Sequence, residues 1–285
     1  MAINFFKQTR RSNFSSLPLV RYYFEVLLGK GPAAAKLRVG IESILKMSQS
    51  RVATQPERVR QMFGSIAARY DLANHLLSCG IDFYWRKCAA DIVAGWRPKK
   101  IVDLATGTGD LALALQEKLP DAEIVGVDFL PEMLELAKRK GMRQTVVADA
   151  MKLPFAAASF DCATIAFGLR NMEDWGEALS EMSRVLKANG HVLVLEFSLP
   201  TISILRAIYR FYLHRCLPLF GSFLTRTKSA YDYLGDSIEE FPSGNAMSLL
   251  MAANGFAHAT VQPLTGGIVT VYTASVAAAC DRRTN

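Results

Sequence analysis

From residue 101 onward, short continuous apolar runs alternate with segments whose apolar residues recur at helical spacing. Residues 101–105, 123–128, 145–150, 160–168 and 191–197 are runs rich in Val, Ile, Leu and Ala, and they predict buried strands. Between them, 111–119 predicts a helix stopped by Pro120. Residues 131–141 predict a helix with Pro131 in its first turn and Gly141 behind a basic end, and 177–190 a helix with a glycine stop. This β-α-β-α order predicts an α/β protein with a doubly wound, mostly parallel sheet. After Glu196 the rhythm changes. Residues 201–220, 230–240 and 243–254 predict helices, and 256–264 and 267–275 predict two closing strands turned at Gly266-Gly267. Upstream, Val59, Met62, Phe63 and Ile66 follow Pro56 at helical spacing, and 72–78 and 82–94 predict two more helices.

Composition separates the two ends of the chain. The 285 residues carry a formal charge of +7, and 51% of them are hydrophobic, enough for a sizeable core. Residues 1–55 hold nine Lys/Arg against Glu25 and Glu42, so the whole excess sits in an N-terminal arm and the rest is neutral. A neutral body argues against nucleic acid as a partner. The arm reads as a tail with short helices over 17–28 and 33–47, as a membrane-surface contact, or as an organelle transit peptide. Cys79, Cys88, Cys162, Cys216 and Cys280 form no C-x-x-C pair and no zinc spacing, so reduced, packed thiols and no metal are expected. No secretory signal and no transmembrane span is expected; the uncharged stretch 241–280 is broken by Asn245, Asn254, Pro263 and four glycines.

The sharpest chemistry lies at 103–110. Gly107 and Gly109 follow the first strand directly and open a helix, where the backbone can approach a ligand and free N–H groups are available. Asp128 stands 21 residues after Gly107 at the end of the next strand, placed to accept from both ribose hydroxyls. Gly107-x-Gly109-x-x-Ala112 also satisfies a dinucleotide fingerprint, so a nicotinamide enzyme is an alternative. Asp103 inside the first strand and Asp149-Ala150 behind the third weigh against it and suit S-adenosylmethionine (SAM).

These segments resemble the UbiE/MenG/COQ5 family of quinone-biosynthesis C-methyltransferases. The resemblance rests on Asp103–Leu111, Asp149–Phe167 and Gly168-Leu169-Arg170-Asn171, with Tyr70-Asp71-Leu72-Ala73-Asn74 before the first strand. Leu153-Pro154-Phe155, Ser159-Phe160-Asp161, Val194-Leu195-Glu196-Phe197, Tyr231-x-Tyr233-Leu234 and Gly266-Gly267-Ile268-Val269 match as well. It runs from about Pro56 to Ser275 and excludes residues 1–55.

The resemblance implies a class I SAM-methyltransferase (Rossmann-like) fold: a doubly wound, mostly parallel seven-stranded sheet with N-terminal helices and a helical lid insertion. The implied organisation is a basic extension at 1–55 and a methyltransferase domain at 56–285. That domain divides into N-terminal helices at 56–98, a cofactor core at 99–197, a helical lid at 198–254 and terminal strands at 255–275. It implies SAM held by Asp103 at the methionine ammonium, the turn Gly107-Thr108-Gly109, Asp128 at the ribose, and Asp149 with Ala150 at the adenine. Ala166 stands where the family carries a serine contact.

Arg170, Asn171 and Tyr70 are the candidate catalytic residues, with Arg170 stabilising phenolate charge or orienting a water. The competing reading of Arg170 is an ion pair to Glu173 or Asp174. Tyr231 and Tyr233 are candidates for the quinone pocket; His75 reads as a helix surface or core residue. The expected substrate is a prenylated quinol, most like demethylmenaquinol; Thr106, where ubiquinone-type members often carry glycine, leans the same way. Residues 1–55 and 201–224 are expected at a membrane surface, with a cytoplasmic protein peripheral to the inner face. An organelle location follows if 1–55 is a transit peptide. The alternatives are another lipid or phenolic acceptor, or a non-catalytic subunit of a quinone-synthesis complex.

Overall fold

A computed structural model describes residues 78, 80–219 and 228–277, with side chains from 233 onward in the last stretch. Residues 1–55, Tyr70, Asp71, His75, the helix expected after Pro56 and, apart from Ser78, the helix expected over 72–78 lie outside the described residues. The elements in chain order are α1 (Ile81–Trp96), β1 (Lys100–Leu104), α2 (Asp110–Lys118), β2 (Glu123–Asp128), α3 (Pro131–Arg139), β3 (Gln144–Val147) and β4 (Phe160–Ala166). There follow α4 (Trp175–Val185), β5 (Leu186–Phe197), α5 (Ser203–Phe211), α6 (Lys228–Glu240), α7 (Asn245–Ala253), β6 (Phe256–Leu264) and β7 (Val269–Val276).

The seven strands form one sheet in the order β3-β2-β1-β4-β5-β7-β6. Strands β1 to β5 pair in parallel, and β7 runs antiparallel between β5 and β6. The class and topology expected from the sequence are thus present, including the closing hairpin.

Period-2 alternation explains why the strands read as continuous apolar runs. Val102, Leu104, Val125, Val127, Ala163, Ile165, Val192 and Val194 pack on one face against Trp175, Leu179 and Met182 of α4 and Met247 and Leu250 of α7. Ile101, Ile124, Cys162, Leu193 and Leu195 pack on the other against α1, α2 and α3 through Trp85, Val93, Leu115 and Ala137. With helices on both faces, a polar side chain at a buried position of the central strands needs a partner.

Two boundaries differ from the sequence reading. The helix expected over 177–190 ends at Val185, and β5 begins at Leu186. Leu186 pairs with Phe160, a bulge follows in which Asn189 takes φ 60°, and pairing resumes at Cys162–His191. The backbone carbonyls of Arg184 and Val185 are captured by the N–H groups of Ala158 and Ser159, which pulls the chain into the sheet four residues before the glycine. The third strand stops at Val147, not at 150: Ala148 N–H makes the last bond to the Asp128 carbonyl, and Asp149 then turns the chain by accepting from Met151 N–H at 2.9 Å.

Beyond β5, a helical cap crosses the carboxyl edge of the sheet. Helix α5 runs into a π-helical turn, Tyr212–Cys216. Tyr209, Leu213 and Leu217 pack on Ile238 of α6 in a small core of their own. A π turn carries one extra residue, a feature that recurs at functional sites.

Candidate active site

The site begins where β1 runs out. Asp103 is 1% exposed, and both its oxygens accept at 2.6 Å from hydroxyls, Thr106 Oγ1 of the turn and Thr164 Oγ1 of β4. Burial pushes its carboxyl up to about 6, opposed by the two threonines and by the charge of Arg86. A carboxylate so placed is anionic at neutral pH at a cost, and a cation beside it relieves that cost.

The turn itself needs glycine. Gly107 has φ 57°, and a Cβ built there meets no protein atom within 4 Å, because it stands in the cavity. Gly109 has φ 85°, and its Cβ would come to 3.1 Å of Ala137 Cβ, so glycine lets α3 close on the turn. Asp128 closes the other side. Its Oδ2 accepts from Gly107 N–H and its Oδ1 from Leu130 N–H, each at 2.9 Å. Burial pushes this carboxyl upward while those N–H groups pull it down. Each oxygen keeps a lone pair, enough for a vicinal diol.

Charged groups ring this cradle. Lys140 Nζ donates to Thr108 Oγ1 at 2.9 Å and pairs with Asp110 at 2.8 Å. Arg86 of α1 pairs with Asp82, reaches Asp110 at 3.6 Å and lies 5.4 Å over the Phe167 ring. Asp149 sits exposed at the rim, and Ala150 behind it is buried.

The far wall is built from β4 and β5. Arg170 is 4% exposed and pairs with Glu196, which is 0% exposed, at 2.7 Å. Arg170 Nη1 also donates to the Phe167 carbonyl at 2.5 Å, and its guanidinium lies 5.2 Å over the Phe197 ring. The competing ion-pair reading names Glu173 or Asp174 as the partner. Asp174 instead caps α4, accepting from Gly176 and Glu177 N–H at 2.8 and 3.0 Å. Asn171 accepts from the Tyr233 hydroxyl at 3.2 Å. Trp85, Phe167 and Phe197 form an aromatic wall with centroids 4.6–6.0 Å apart.

One cavity of about 690 Å³ joins these groups. It is lined by Asp103, Gly107, Thr108, Asp128, Asp149, Ala150, Ala166, Arg170 and Asn171, and it continues beneath the apolar cap. Gly109 holds the turn from behind rather than lining it. Tyr70 lies outside the described residues, as does the Tyr231 side chain.

Sequence reasoning missed Glu196 as the partner of Arg170, and it missed Trp85, Arg86 and Tyr209 as cavity residues. A lone acid inside the apolar run 191–197 was the signal for Glu196, since a buried charge needs a partner. Nothing in the local pattern marks the other three.

The donor set suits a nucleoside that carries a cation: a diol acceptor at Asp128, a buried anion at Asp103 and a glycine turn open to the cavity. Among solved structures, a SAM-dependent methyltransferase from Thermotoga maritima aligns at TM-score 0.55, with 19% identity over 75% of this chain and all of that one. The plantazolicin methyltransferase solved with SAH aligns at 0.57, with 11% identity over 85% of this chain. The fold is therefore that of SAM-dependent methyltransferases.

Sequence relatives are nearer. The demethylmenaquinone methyltransferase of Thermus thermophilus is 46% identical over 216 residues, 74% of this chain and 98% of that protein. The ubiquinone/menaquinone biosynthesis C-methyltransferase of a Geobacter species (strain M21) is 46% identical over 224 residues, 76% of this chain and 95% of that protein. Residues 51–276 match the model of one family throughout, so the chain belongs to the ubiE/COQ5 methyltransferase family.

Proposed function

We propose that this chain is the SAM-dependent C-methyltransferase that converts demethylmenaquinol to menaquinol. The observation that carries the reading is a single cavity: the acid-and-glycine cradle and an apolar pocket under the cap share one space. Relatives named for demethylmenaquinone and for ubiquinone/menaquinone methylation support the acceptor.

When bound, SAM supplies a sulfonium methyl group to an electron-rich carbon. The chain's own residues do the rest. Asp128 and the Gly107 turn hold the nucleoside, and Asp103 faces the methionine ammonium. The aromatic wall of Trp85, Phe167 and Phe197 excludes water and confines the acceptor ring. Arg170, fixed by Glu196, sets a guanidinium at the cavity wall, where it favours the ionised ring hydroxyl. Asn171, oriented by Tyr233, is a second polar contact on the same side.

The isoprenoid tail and the membrane are read from the cap. Ile202, Ile204, Phe211 and Leu219 on its outer side are 63–74% exposed. No acid occurs between Phe197 and Ala230, while Arg206, Arg210, Arg215, Arg226 and Lys228 do. Apolar teeth set among cations suit the surface of an anionic bilayer. The +7 arm of residues 1–55 adds attraction of the same sign, which supports a peripheral location at the inner face of the membrane. No helix among the described residues is long and apolar enough to cross a membrane.

The test is the quinone profile of a deletion strain, read by mass spectrometry. Accumulated demethylmenaquinone, cleared by the wild-type gene, is the expected result; an unchanged profile overturns the proposal.

A further inference from the structure

We infer that the Tyr209 hydroxyl hydrogen-bonds an oxygen of the acceptor ring, from the cap side of the cavity and opposite the Arg170–Glu196 pair. The inference rests on the quinol reading above and goes on to name a residue that meets the ring.

Tyr209 is 7% exposed, lies in the last turn of α5 and lines the cavity. Its ring belongs to the cap's small core, stacked on Tyr212 with centroids 6.3 Å apart and planes at 13°. Its oxygen is another matter. Among the described residues the hydroxyl has no hydrogen-bond partner. The oxygen is not sealed from the cavity, so a molecule bound there can supply one.

The two arginines of α5 are already committed. Arg206 donates to the Pro200 and Thr201 carbonyls, and Arg210 pairs with Glu239. Tyr209 and Arg170 line the same cavity, and the charges of Arg170 and Glu196 reach the phenol. Burial pushes the phenol upward, so it stays protonated and donates.

A quinol ring lying between α5 and the sheet offers the oxygen that this donor lacks. Ionisation of that oxygen makes the ring carbon nucleophilic, and a neutral donor aimed at it stabilises the phenolate without adding charge to the pocket. Tyr209 thereby complements Arg170, whose own charge is shared with Glu196.

The experiment compares wild type with Tyr209→Phe on a short-tailed demethylmenaquinol in detergent, across pH, with SAM affinity measured by calorimetry. The expected result is unchanged SAM affinity, kcat/KM for the quinol lower by roughly 10- to 100-fold, and the rising limb of the pH profile moved to higher pH. Fluorotyrosine at position 209, a stronger acid in the same space, moves that limb the other way. Wild-type kcat/KM and an unmoved pH limb in Tyr209→Phe overturn the inference. Loss of SAM affinity along with activity also overturns it, since the role is then structural. A wild-type protein that binds SAM but leaves demethylmenaquinol unmethylated overturns the quinol reading instead.

Discussion

Arg170 and Glu196 form an ion pair at 2.7 Å in which neither side chain exceeds 5% exposure. The Arg comes from the single helical turn after β4 and the Glu from β5, so the pair ties adjacent strands at the edge of the cavity. Glu196 also accepts from the N–H groups of Arg170 and Phe197. A buried pair this well bonded fixes a geometry more surely than it adds stability.

Breaking that pair on one side strands a charge. Glu196→Gln and Arg170→Ala should each lose about 3–5 kcal/mol in urea denaturation. Arg170→Met with Glu196→Leu, which removes both charges at similar volume, should recover most of that stability and still fail to transfer a labelled methyl group. A double variant with near wild-type turnover would reduce Arg170 to a structural strut.

The buried carboxyl of Asp103 predicts a pH dependence of definite sign. Its pKa is raised to about 6 in the fold, so the protonated form is favoured there. Its contribution to stability is full in acid and is lost as pH rises through 6. Asp103→Asn should therefore stabilise the protein without cofactor at pH 7.5 by up to about 3 kcal/mol, with no gain near pH 4. SAM binding should release a fraction of a proton at pH 6 and almost none at pH 7.5, read by calorimetry in buffers of different ionisation enthalpy. Proton uptake at pH 6 would mean that no cation approaches Asp103.

Asp128 anchors the Gly107 turn and one end of the cofactor site together. Asp128→Ala removes the acceptor of two backbone N–H groups and, with it, the proposed ribose contact. SAM affinity should fall by roughly 100-fold or more, while Asp128→Asn, which keeps one acceptor oxygen, should lose less. Equal losses in the two variants would argue that only the charge matters.

Gly107→Ala tests the turn from the backbone side. At φ 57° an added Cβ costs about 1 kcal/mol of strain and enters the cavity. Weaker SAM binding with a small drop in thermal midpoint is expected. Unchanged affinity would move the cofactor away from Gly107.

The outer side of the cap makes a prediction that leaves the chemistry alone. Ile204→Glu with Phe211→Glu should abolish sedimentation with anionic vesicles while SAM affinity stays at the wild-type value. Persistent vesicle binding would shift the membrane contact to residues 1–55, and deletion of that arm would then be the decisive variant.

The cofactor half of the site was legible in the sequence because it is local. Gly107, Gly109, Asp128 and Asp149 lie at the ends of strands whose apolar rhythm is unmistakable, and strand ends of a parallel sheet converge at one edge. The cap's helices were legible too, from spacing alone. The acceptor half was legible only in part: Arg170 and Asn171 stood out, whereas Trp85, Arg86, Glu196 and Tyr209 did not, because they come from α1, β5 and α5, distant in the chain.

The chain by itself determines the fold, the glycine turn and the acids around it, because periodicity and turn chemistry act within a few residues. Which charge neutralises Arg170, where the helix before β5 ends and which tyrosine faces the cavity are decided only by tertiary packing. A buried guanidinium takes whichever carboxylate the sheet brings to hydrogen-bonding distance, and the sheet brings Glu196, not its sequence neighbours Glu173 and Asp174. Burial, hydrogen-bond satisfaction and the closure of the cap over the sheet are properties of the assembled layers, and no single segment carries them.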